Sequence, residues 1–442
     1  MIPEILALDS RPNVIRIPNQ IDIPSTDRVM RLIDSRPFRR LSKISQLGLV
    51  GDVYPGAKHS RFEHSLGVYR NALLFCRRIL QSNYFANLVE QHHLESMVVA
   101  ALLHDIGHWP YCHVIEDMKL EHIPAHEEIA RSLVLDSEIS SLLQKEWACE
   151  PNAVANLILG QSDNAIQQIL ASILSGPIDV DKMDYLYRDS LHCGVPYGMN
   201  FDSGRLINAL CLNDQKNGIA ISPKGKTAAE MMVFARYVMF SEVYWHHTVR
   251  SATAMLQRLC YTVYQNDESS FYAKHCDSTT DTNFVQKLAD AVTDDHPSYD
   301  LFDGLYGLNR SLYKRVAEYT FNQSPKFFEH FSHRPYSELC QCGQALARSL
   351  SDSCGTTIEQ HELLIDAPPP GLEVQFKVAI HDGTKQYQME ELSPIVKALA
   401  TEQFDSFVKK VRVFVHPRIA TDVSREKIEE AISLQLYRDN TN

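Results

Sequence analysis

A histidine and an aspartate stand side by side at the end of an apolar run, where both side chains can face one ion. His104 and Asp105 follow MVVAALL, and Gly107 and Pro110 interrupt the helical pattern just after them. Adjacent helical residues point about 100° apart, but imidazole reaches further than carboxylate. The pair offers a nitrogen and a hard oxygen donor, a set suited to a divalent metal.

Two other segments contain residues that can complete such a site. His64 lies upstream in SRFEHSLG, and Asp179 and Asp181 lie downstream in GPIDVDKMDYLYRD. Either aspartate gives a site with two His and two Asp. His104-Asp105 is also compatible with a polar pair at a helix C-terminus, where a protonated histidine is favourable. The metal interpretation is favoured because more imidazoles follow nearby: His108, His113 and His126.

The apolar pattern predicts the elements that must position these residues. From about residue 26 to residue 260, apolar residues recur mostly at helical spacing, which predicts a helical bundle. After about residue 355, the short alternating stretches ELLIDAP, EVQFKVAI, KQYQMEEL and KKVRVFVHP predict strands. We therefore expect a core over residues 1–260, a helical extension over 261–354 and a small α+β region over 355–442.

Composition narrows the class of protein. The formal net charge of −12 disfavours polyanion binding by the chain as a whole, so an anionic ligand needs a local cluster of basic side chains. The ten cysteines fit neither a secreted disulfide scaffold nor paired zinc knuckles. We expect a cytoplasmic protein without a membrane span, because the N-terminus lacks signal-peptide features and no long apolar run occurs.

Three ordered blocks resemble the signature blocks of a known family. They read QLGLVGDVYPGAKHSRFEHSLGV, AALLHDIGHWPYCH and IDVDKMDYLYRD. The family is the HD-domain deoxynucleotide triphosphohydrolases, which includes the sterile-alpha-motif and HD-domain enzyme. The resemblance implies a mainly α fold: an HD-domain helical bundle with the small C-terminal α+β appendage. It also implies a dGTPase-like phosphohydrolase that converts dNTP to deoxynucleoside and tripolyphosphate.

The resemblance assigns the metal to His64, His104, Asp105 and Asp181. Asp181 is chosen over Asp179 because it is directly followed by the family's Lys-x-x-Tyr pattern. The implied cofactor is one divalent ion, and the sequence does not choose among Mn²⁺, Mg²⁺, Fe²⁺, Ni²⁺ and Zn²⁺. A second Mg²⁺ on the substrate triphosphate is compatible with the same reading.

Substrate contacts are also implied by the resemblance. It gives phosphate contacts to Arg61, His108, Lys182, Tyr185 and Arg236, and sugar contacts to Gln46, Leu47, Asp189 and Tyr244. The spacing agrees with part of this assignment, because residues 181, 185 and 189 are four apart and share one helical face.

A general acid is needed to protonate the departing 5′-oxygen. The resemblance and the titration range of imidazole point to His113, oriented by Glu116. His126 with Glu127 would assist. A metal-bound hydroxide would attack phosphorus in line, while basic side chains neutralise charge on the phosphates.

The chain also departs from the family pattern. VIRIPNQIDIP stands where the family has a DPIHG-like activation loop. Asp34 matches an acidic residue of that regulatory site, but Arg39 and Ser42 replace its Gln and Arg, which argues against activation by a guanine nucleotide. Trp245 replaces a polar residue beside the sugar-facing Tyr244, so the base preference is not transferred.

Deoxynucleoside triphosphates are the expected partners, and the family suggests a homodimer or homotetramer. Nothing indicates nucleic-acid binding. Two alternative functions stay open: an HD nucleotidase or phosphodiesterase acting on other nucleotides, and a non-catalytic nucleotide sensor or nucleic-acid-binding scaffold.

Overall fold

The computed structural model describes residues 1–10, 13–369, 377–401 and 408–439. The chain divides into two compact units, each assembled from separate stretches. The first unit comprises Met1–Pro110, Pro124–Met239 and Gln375–Thr401, and the second comprises Tyr111–Ile123, Phe240–Val374 and Glu402–Asn442. The three regions expected from the sequence stay a prediction.

Helices make up most of the regular structure, as the mainly α prediction requires. In chain order they are α1 (Pro3–Ser10), α2 (Asp27–Asp34), α3 (Arg36–Arg40), α4 (Arg61–Ile79), α5 (Asn83–Leu88), α6 (Gln91–Leu103), α7 (Cys112–Glu116), α8 (His126–Asp136), α9 (Glu138–Glu146), α10 (Pro151–Ile158), α11 (Ala165–Leu174), α12 (Val180–Cys193), α13 (Ser203–Asn208), α14 (Lys226–Met239), α15 (His247–Asn266), α16 (Asp281–Ala291), α17 (Tyr299–Tyr306), α18 (Pro325–Phe331), α19 (Tyr336–Cys354), α20 (Met389–Leu392), α21 (Pro394–Thr401) and α22 (Arg425–Asp439).

Short strands accompany the helices in both units. They are β1 (Val14–Ile17), β2 (Gln20–Pro24), β3 (Leu210–Leu212), β4 (Ile219–Ile221), β5 (Lys314–Tyr319), β6 (Leu363–Asp366), β7 (Ala379–His381), β8 (Gln386–Gln388) and β9 (Val411–Val415). In the first unit, β1 and β2 form an antiparallel hairpin, and a sheet has the order β3-β4-β7-β8, with β7 parallel to β4. In the second unit, the antiparallel sheet has the order β5-β9-β6.

The predicted C-terminal strands are present, but they belong to two sheets. β7 and β8 extend the sheet that begins with β3, whereas β6 and β9 pair with β5. Residues 370–376, which hold the first half of EVQFKVAI, lie outside the described residues. The mainly α fold with a small α+β component is confirmed. β3, β4 and β5 add strands in regions for which helices alone were expected, and β1 and β2 precede the predicted helical bundle.

Helices α4, α6 and α12 form the part of the first unit that positions the candidate site. All residues of α6 from Leu94 to Leu103 are buried, and from Met97 onward the helix is apolar on every side, as expected for a helix in the core. Helix α12 begins at the N-cap residue Asp179 and ends at Gly194, whose φ of 71° suits glycine. The ends of these buried helices deliver polar side chains into the interior.

None of the helices within the described residues has both the length and the apolar composition that crossing a bilayer requires.

Packing between α4 and α12 depends on a glycine. A Cβ on Gly67 would lie 1.9 Å from Oδ1 of Asp184 and 2.5 Å from Nη2 of Arg188. Both side chains are buried, so neither can move aside easily. Gly67 therefore allows the acid and base of α12 to approach α4.

We expect Gly67→Ala to lower Tm, because overpacking costs about 1–3 kcal/mol and outweighs the roughly 1 kcal/mol by which Ala is the better helix former. The matched control is Gly204→Ala in α13, where the nearest atom to a new Cβ would be Oδ1 of Asp202 at 3.5 Å. The control should leave Tm unchanged or raise it. Equal Tm values for the two variants in thermal unfolding would contradict this account.

Candidate metal centre

Three helices bring two histidines and two aspartates together. His64 lies in the first turn of α4, His104 caps the C-terminus of α6 next to Asp105, and Asp181 lies in the first turn of α12. The donor atoms of His64, His104 and Asp105 lie within 4.8 Å of one another. Oδ1 of Asp181 is 3.0 Å from Nε2 of His64 and 3.7 Å from Nε2 of His104.

The hydrogen bonds of the two imidazoles define which nitrogens are available. Nδ1 of His64 is 2.9 Å from Oδ2 of Asp184, and Nδ1 of His104 is 3.0 Å from the carbonyl oxygen of Ala101. Because both partners accept hydrogen bonds, both Nδ1 atoms must donate. Their Nε2 atoms, 3.3 Å apart, are then the nitrogens that could coordinate a metal. Two ring nitrogens and two carboxylates converge there, and this donor set fits a divalent metal.

Electrostatics around His64 favour a cation. Burial opposes the charged form of this imidazole, but hydrogen bonds with Asp181 and Asp184 outweigh burial and raise its pKa to about 10. Without a metal, a proton on Nε2 therefore provides the positive charge that the carboxylates attract. A metal that binds at Nε2 must displace that proton.

The two acidic donors remain charged. Burial opposes ionisation of Asp105, but His108 and neighbouring basic side chains outweigh it and hold its pKa well below the usual range. Burial opposes ionisation of Asp181 as well, and the hydrogen bond with His64 is the main cause that lowers its pKa. Both oxygen donors are thus in the form that binds a cation.

Asp184 orients the ring of His64, a contact that the sequence patterns did not predict. Its Oδ2 accepts from His64, while Nε and Nη2 of Arg188 donate to its two oxygens at 2.8 and 2.7 Å. Burial opposes its charge, but Arg188 and His64 lower its pKa to about 2. The available signal was the i, i+4 spacing of Asp184 and Arg188 on the helix that carries Asp181.

Several predicted phosphate contacts lie next to these donors. Nη1 of Arg61 is 2.8 Å from Oδ2 of Asp105. Nδ1 of His108 is 3.2 Å from Oδ1 of Asp105, and its ring packs on that of His126 with centroids 3.9 Å apart. Nε2 of His126 is 3.4 Å from Oε1 of Glu127. These side chains form a continuous polar cluster within the first unit.

A small cleft in the first unit is lined by two of the predicted basic residues. Lys182 from α12 and Arg236 from α14 line it together with apolar side chains, which include Leu186, Met232, Val233 and Val378. Burial raises the pKa of the nearby Tyr185 to about 12, against the positive charges of Arg236 and Lys182. The three predicted phosphate contacts Lys182, Tyr185 and Arg236 are therefore neighbours.

Asp179, the alternative fourth ligand, has other partners. Its Oδ1 accepts from the backbone N–H of Lys182 at 2.7 Å, and its Oδ2 is 2.5 Å from Nζ of the same lysine. It caps α12 and holds Lys182, whereas Asp181 faces the histidines.

The predicted sugar contacts in the first unit lie around an isolated antiparallel bridge between Ser45 and Ser60. Gln46 donates its backbone N–H to the carbonyl oxygen of His59 at 3.0 Å, and the half-buried Leu47 follows it. Asp189 is buried, and its Oδ1 is 2.9 Å from Nε2 of His59. Oε1 of Gln46 is buried and has no hydrogen-bond partner among the residues that the structure describes.

The other three predicted site residues belong to the second unit. Nδ1 of His113 is 3.7 Å from Oε2 of Glu116, and the His113 side chain is exposed. Tyr244 packs edge-on against Phe240 in a π-helical turn, with ring centroids 5.1 Å apart. Their roles in the site stay predictions.

Family comparisons agree with this arrangement. A family model described as HD domain matches residues 61–189, which include the four convergent donors, and one described as HD associated region matches residues 201–442. The chain belongs to the HD-domain proteins that carry an HD-associated region. The family resemblance seen in the sequence is thereby confirmed.

Individual relatives and a solved structure are similar to this HD-domain protein in sequence or in fold. It is 35% identical over 246 residues to the uncharacterized protein YwfO of Bacillus subtilis, covering 55% of this chain and 54% of that one. It is 28% identical over 249 residues to the deoxynucleoside triphosphate triphosphohydrolase SAMHD1 of Gallus gallus, covering 49% and 40%. The match thus spans about half the length of the first relatives. A hypothetical protein from Aquifex aeolicus shares the fold, with a TM-score of 0.69, 24% identity, and coverage of 95% of this chain and 99% of that one.

Metal binding should release a proton from His64. Its pKa is raised to about 10, so at about pH 8 the ring is charged, whereas a ligand must be neutral. The apparent affinity for Mn²⁺ should therefore rise between about pH 6 and 9, by up to about tenfold per unit. Calorimetry in buffers of different ionisation enthalpy measures the released proton. An affinity independent of pH over this range would refute the expectation.

Proposed function

We propose that the chain is a metal-dependent triphosphohydrolase that cleaves a dNTP into deoxynucleoside and tripolyphosphate. The observation that carries the proposal is the convergence of His64, His104, Asp105 and Asp181. Helix α12, which carries Asp181, also carries Lys182, and Lys182 lines the cleft together with Arg236. These four residues are the proposed metal ligands. A divalent ion there would activate a water and polarise a phosphoryl oxygen.

Arg61 is suited to the phosphate next to the metal. Its guanidinium is buried and bonded to Asp105 through Nη1, so it is held beside the ligands. Its Nε is also buried and has no hydrogen-bond partner within the described part of the chain. A phosphoryl oxygen would satisfy this donor with a charge-assisted hydrogen bond.

The cleft is suited to the rest of the polyphosphate. Lys182 and Arg236 supply positive charge in a chain whose net charge is −12, so binding of an anion must be local. Asp179 keeps Lys182 oriented through its carboxylate.

The sugar and the leaving group complete the proposal. The orphaned Oε1 of Gln46 can accept a hydrogen bond from a sugar hydroxyl. The family resemblance adds Leu47, Asp189 and Tyr244 as the other proposed sugar contacts. His126 with Glu127, or His113 with Glu116, would protonate the 5′-oxygen as the bond from Pα breaks. The triphosphohydrolase name of the SAMHD1 relatives supports this substrate class. Homodimeric or homotetrameric assembly stays a prediction.

Loss of a ligand should abolish both metal binding and turnover. For His104→Ala and Asp105→Asn we expect little bound metal. Turnover should fall by more than the about 10–100-fold that is lost when a hydrogen-bond partner of a metal ligand is removed. The control is His92→Ala on the same helix, whose side chain is 43% exposed. Elemental analysis and turnover are measured on each purified variant. Full activity of either ligand variant would refute the assignment.

The products test the proposed chemistry. Water should attack Pα while the bond from Pα to the 5′-oxygen breaks, so solvent ¹⁸O should appear in tripolyphosphate and not in the nucleoside.

Arg236→Met should raise KM for dNTP by about tenfold or more, because a charge-assisted hydrogen bond contributes about 1.5–3 kcal/mol. ³¹P NMR and chromatography with the four dNTPs and four NTPs provide both measurements.

The alternatives give different results in the same assay. A nucleotidase or phosphodiesterase would release orthophosphate, pyrophosphate or a monophosphate product, and a sensor would bind nucleotide without turnover. Either result, with metal bound, would overturn the proposed reaction and leave the metal centre in place.

A further inference from the structure

The side-chain amide of Gln20 connects the N-terminal hairpin to the buried Asp184. β1 and β2 are joined by a tight turn at Asn19, with φ of 65°, which brings Gln20 opposite Ile17. Nε2 of Gln20 donates to Oδ1 of Asp184 at 3.2 Å. Two residues further along β2, Asp22 accepts two hydrogen bonds from Arg70 of α4, at 2.8 and 3.2 Å. The hairpin is thus anchored on the helix that carries the first metal ligand.

Gln20 completes the set of donors around Asp184. Oδ2 accepts from His64 and from Nε of Arg188, whereas Oδ1 accepts from Nη2 of Arg188 and from Gln20. Nη1 of Arg188 also donates to Oε1 of Glu63 at 2.7 Å, so the guanidinium is shared between Glu63 and Asp184. Without Gln20, Arg188 would be the donor left on Oδ1, and the carboxylate could rotate away from His64.

The amide itself indicates a polar role. Oε1 of Gln20 is buried and has no hydrogen-bond partner among the described residues. A buried acceptor without a partner is unfavourable, and an apolar side chain of equal length would fill the same space without that penalty. The contact that the amide gains is the one to Asp184.

We infer that Gln20 is a positioning residue of the metal centre, which acts through Asp184 on the orientation of His64. The inference rests on the proposed metal site, and it makes the N-terminal hairpin part of that site. Outer partners of metal-bound histidines fix the ring and its tautomer, and their loss weakens metal binding.

The test is a double-mutant cycle on metal affinity. Gln20→Met keeps the size and removes the donor, and we expect the Kd for Mn²⁺ to rise by about three- to tenfold, less than the roughly 10–100-fold for a direct outer partner. In an Asp184→Asn background, the same substitution should add less than about twofold, because the coupled partner is already altered. Gln81→Met, the same change at an exposed position after α4, should leave Kd unchanged.

Kd is measured by chelator competition without nucleotide, and thermal unfolding confirms that each variant is folded. If Asp184→Asn does not fold, ¹⁵N NMR of the histidine rings replaces the cycle, and Gln20→Met should shift the Nδ1 resonance of His64. An unchanged Kd in Gln20→Met, an equal loss in both backgrounds, or an unchanged Nδ1 resonance would overturn the inference alone. Failure of the wild type to bind any divalent metal would overturn the proposed function and the inference together.

Discussion

The hydrogen bond between His64 and Asp184 determines which ring nitrogen of His64 faces the other donors. With Nδ1 committed to the carboxylate at 2.9 Å, Nε2 turns toward His104 and Asp181. Because the ring lies in a buried helix, its orientation depends on the position of this acid. Asp184 in turn has its place because Arg188 holds both of its oxygens and because Gly67 carries no side chain that would collide with it.

Pairing of buried charges explains how so many acids coexist near one point. Asp184 is paired with Arg188, Asp105 with Arg61 and Asp179 with Lys182, and Asp189 shares a hydrogen bond with His59. A buried carboxylate without a cation would protonate instead of remaining charged. Asp181 differs from these four, because it faces the two histidines and shares their need for a cation. Asp181 thus depends on a cation at the place where the donors converge, either the charged ring of His64 or a metal that replaces its proton.

Local patterns explain why much of this arrangement was predictable from the sequence. The buried helix α6 follows from the apolar run before His104, and the family blocks identify the segments that hold His64 and Asp181. The sheet order β3-β4-β7-β8 was not predictable, because each strand has three residues and β4 pairs with a strand about 160 residues away. The role of Asp184 was missed for a similar reason. Its spacing from Arg188 shows a helical ion pair, but the contact with His64 arises only when α4 packs on α12.

The two acids at the start of α12 show how a difference of two residues separates structural from chemical roles. Asp179 is the N-cap, so both of its oxygens are engaged by Lys182. Burial, with the charge of Asp181 acting in the same direction, raises its pKa to about 6 despite that lysine. Asp181 points into the unit toward His64, and its pKa is lowered. A metal needs a carboxylate that remains charged and has a free oxygen. Asp181 remains charged because the histidines lower its pKa. Asp179 is better suited to holding Lys182 at the edge of the cleft. The start of α12 therefore provides one carboxylate for the metal and one for the lysine.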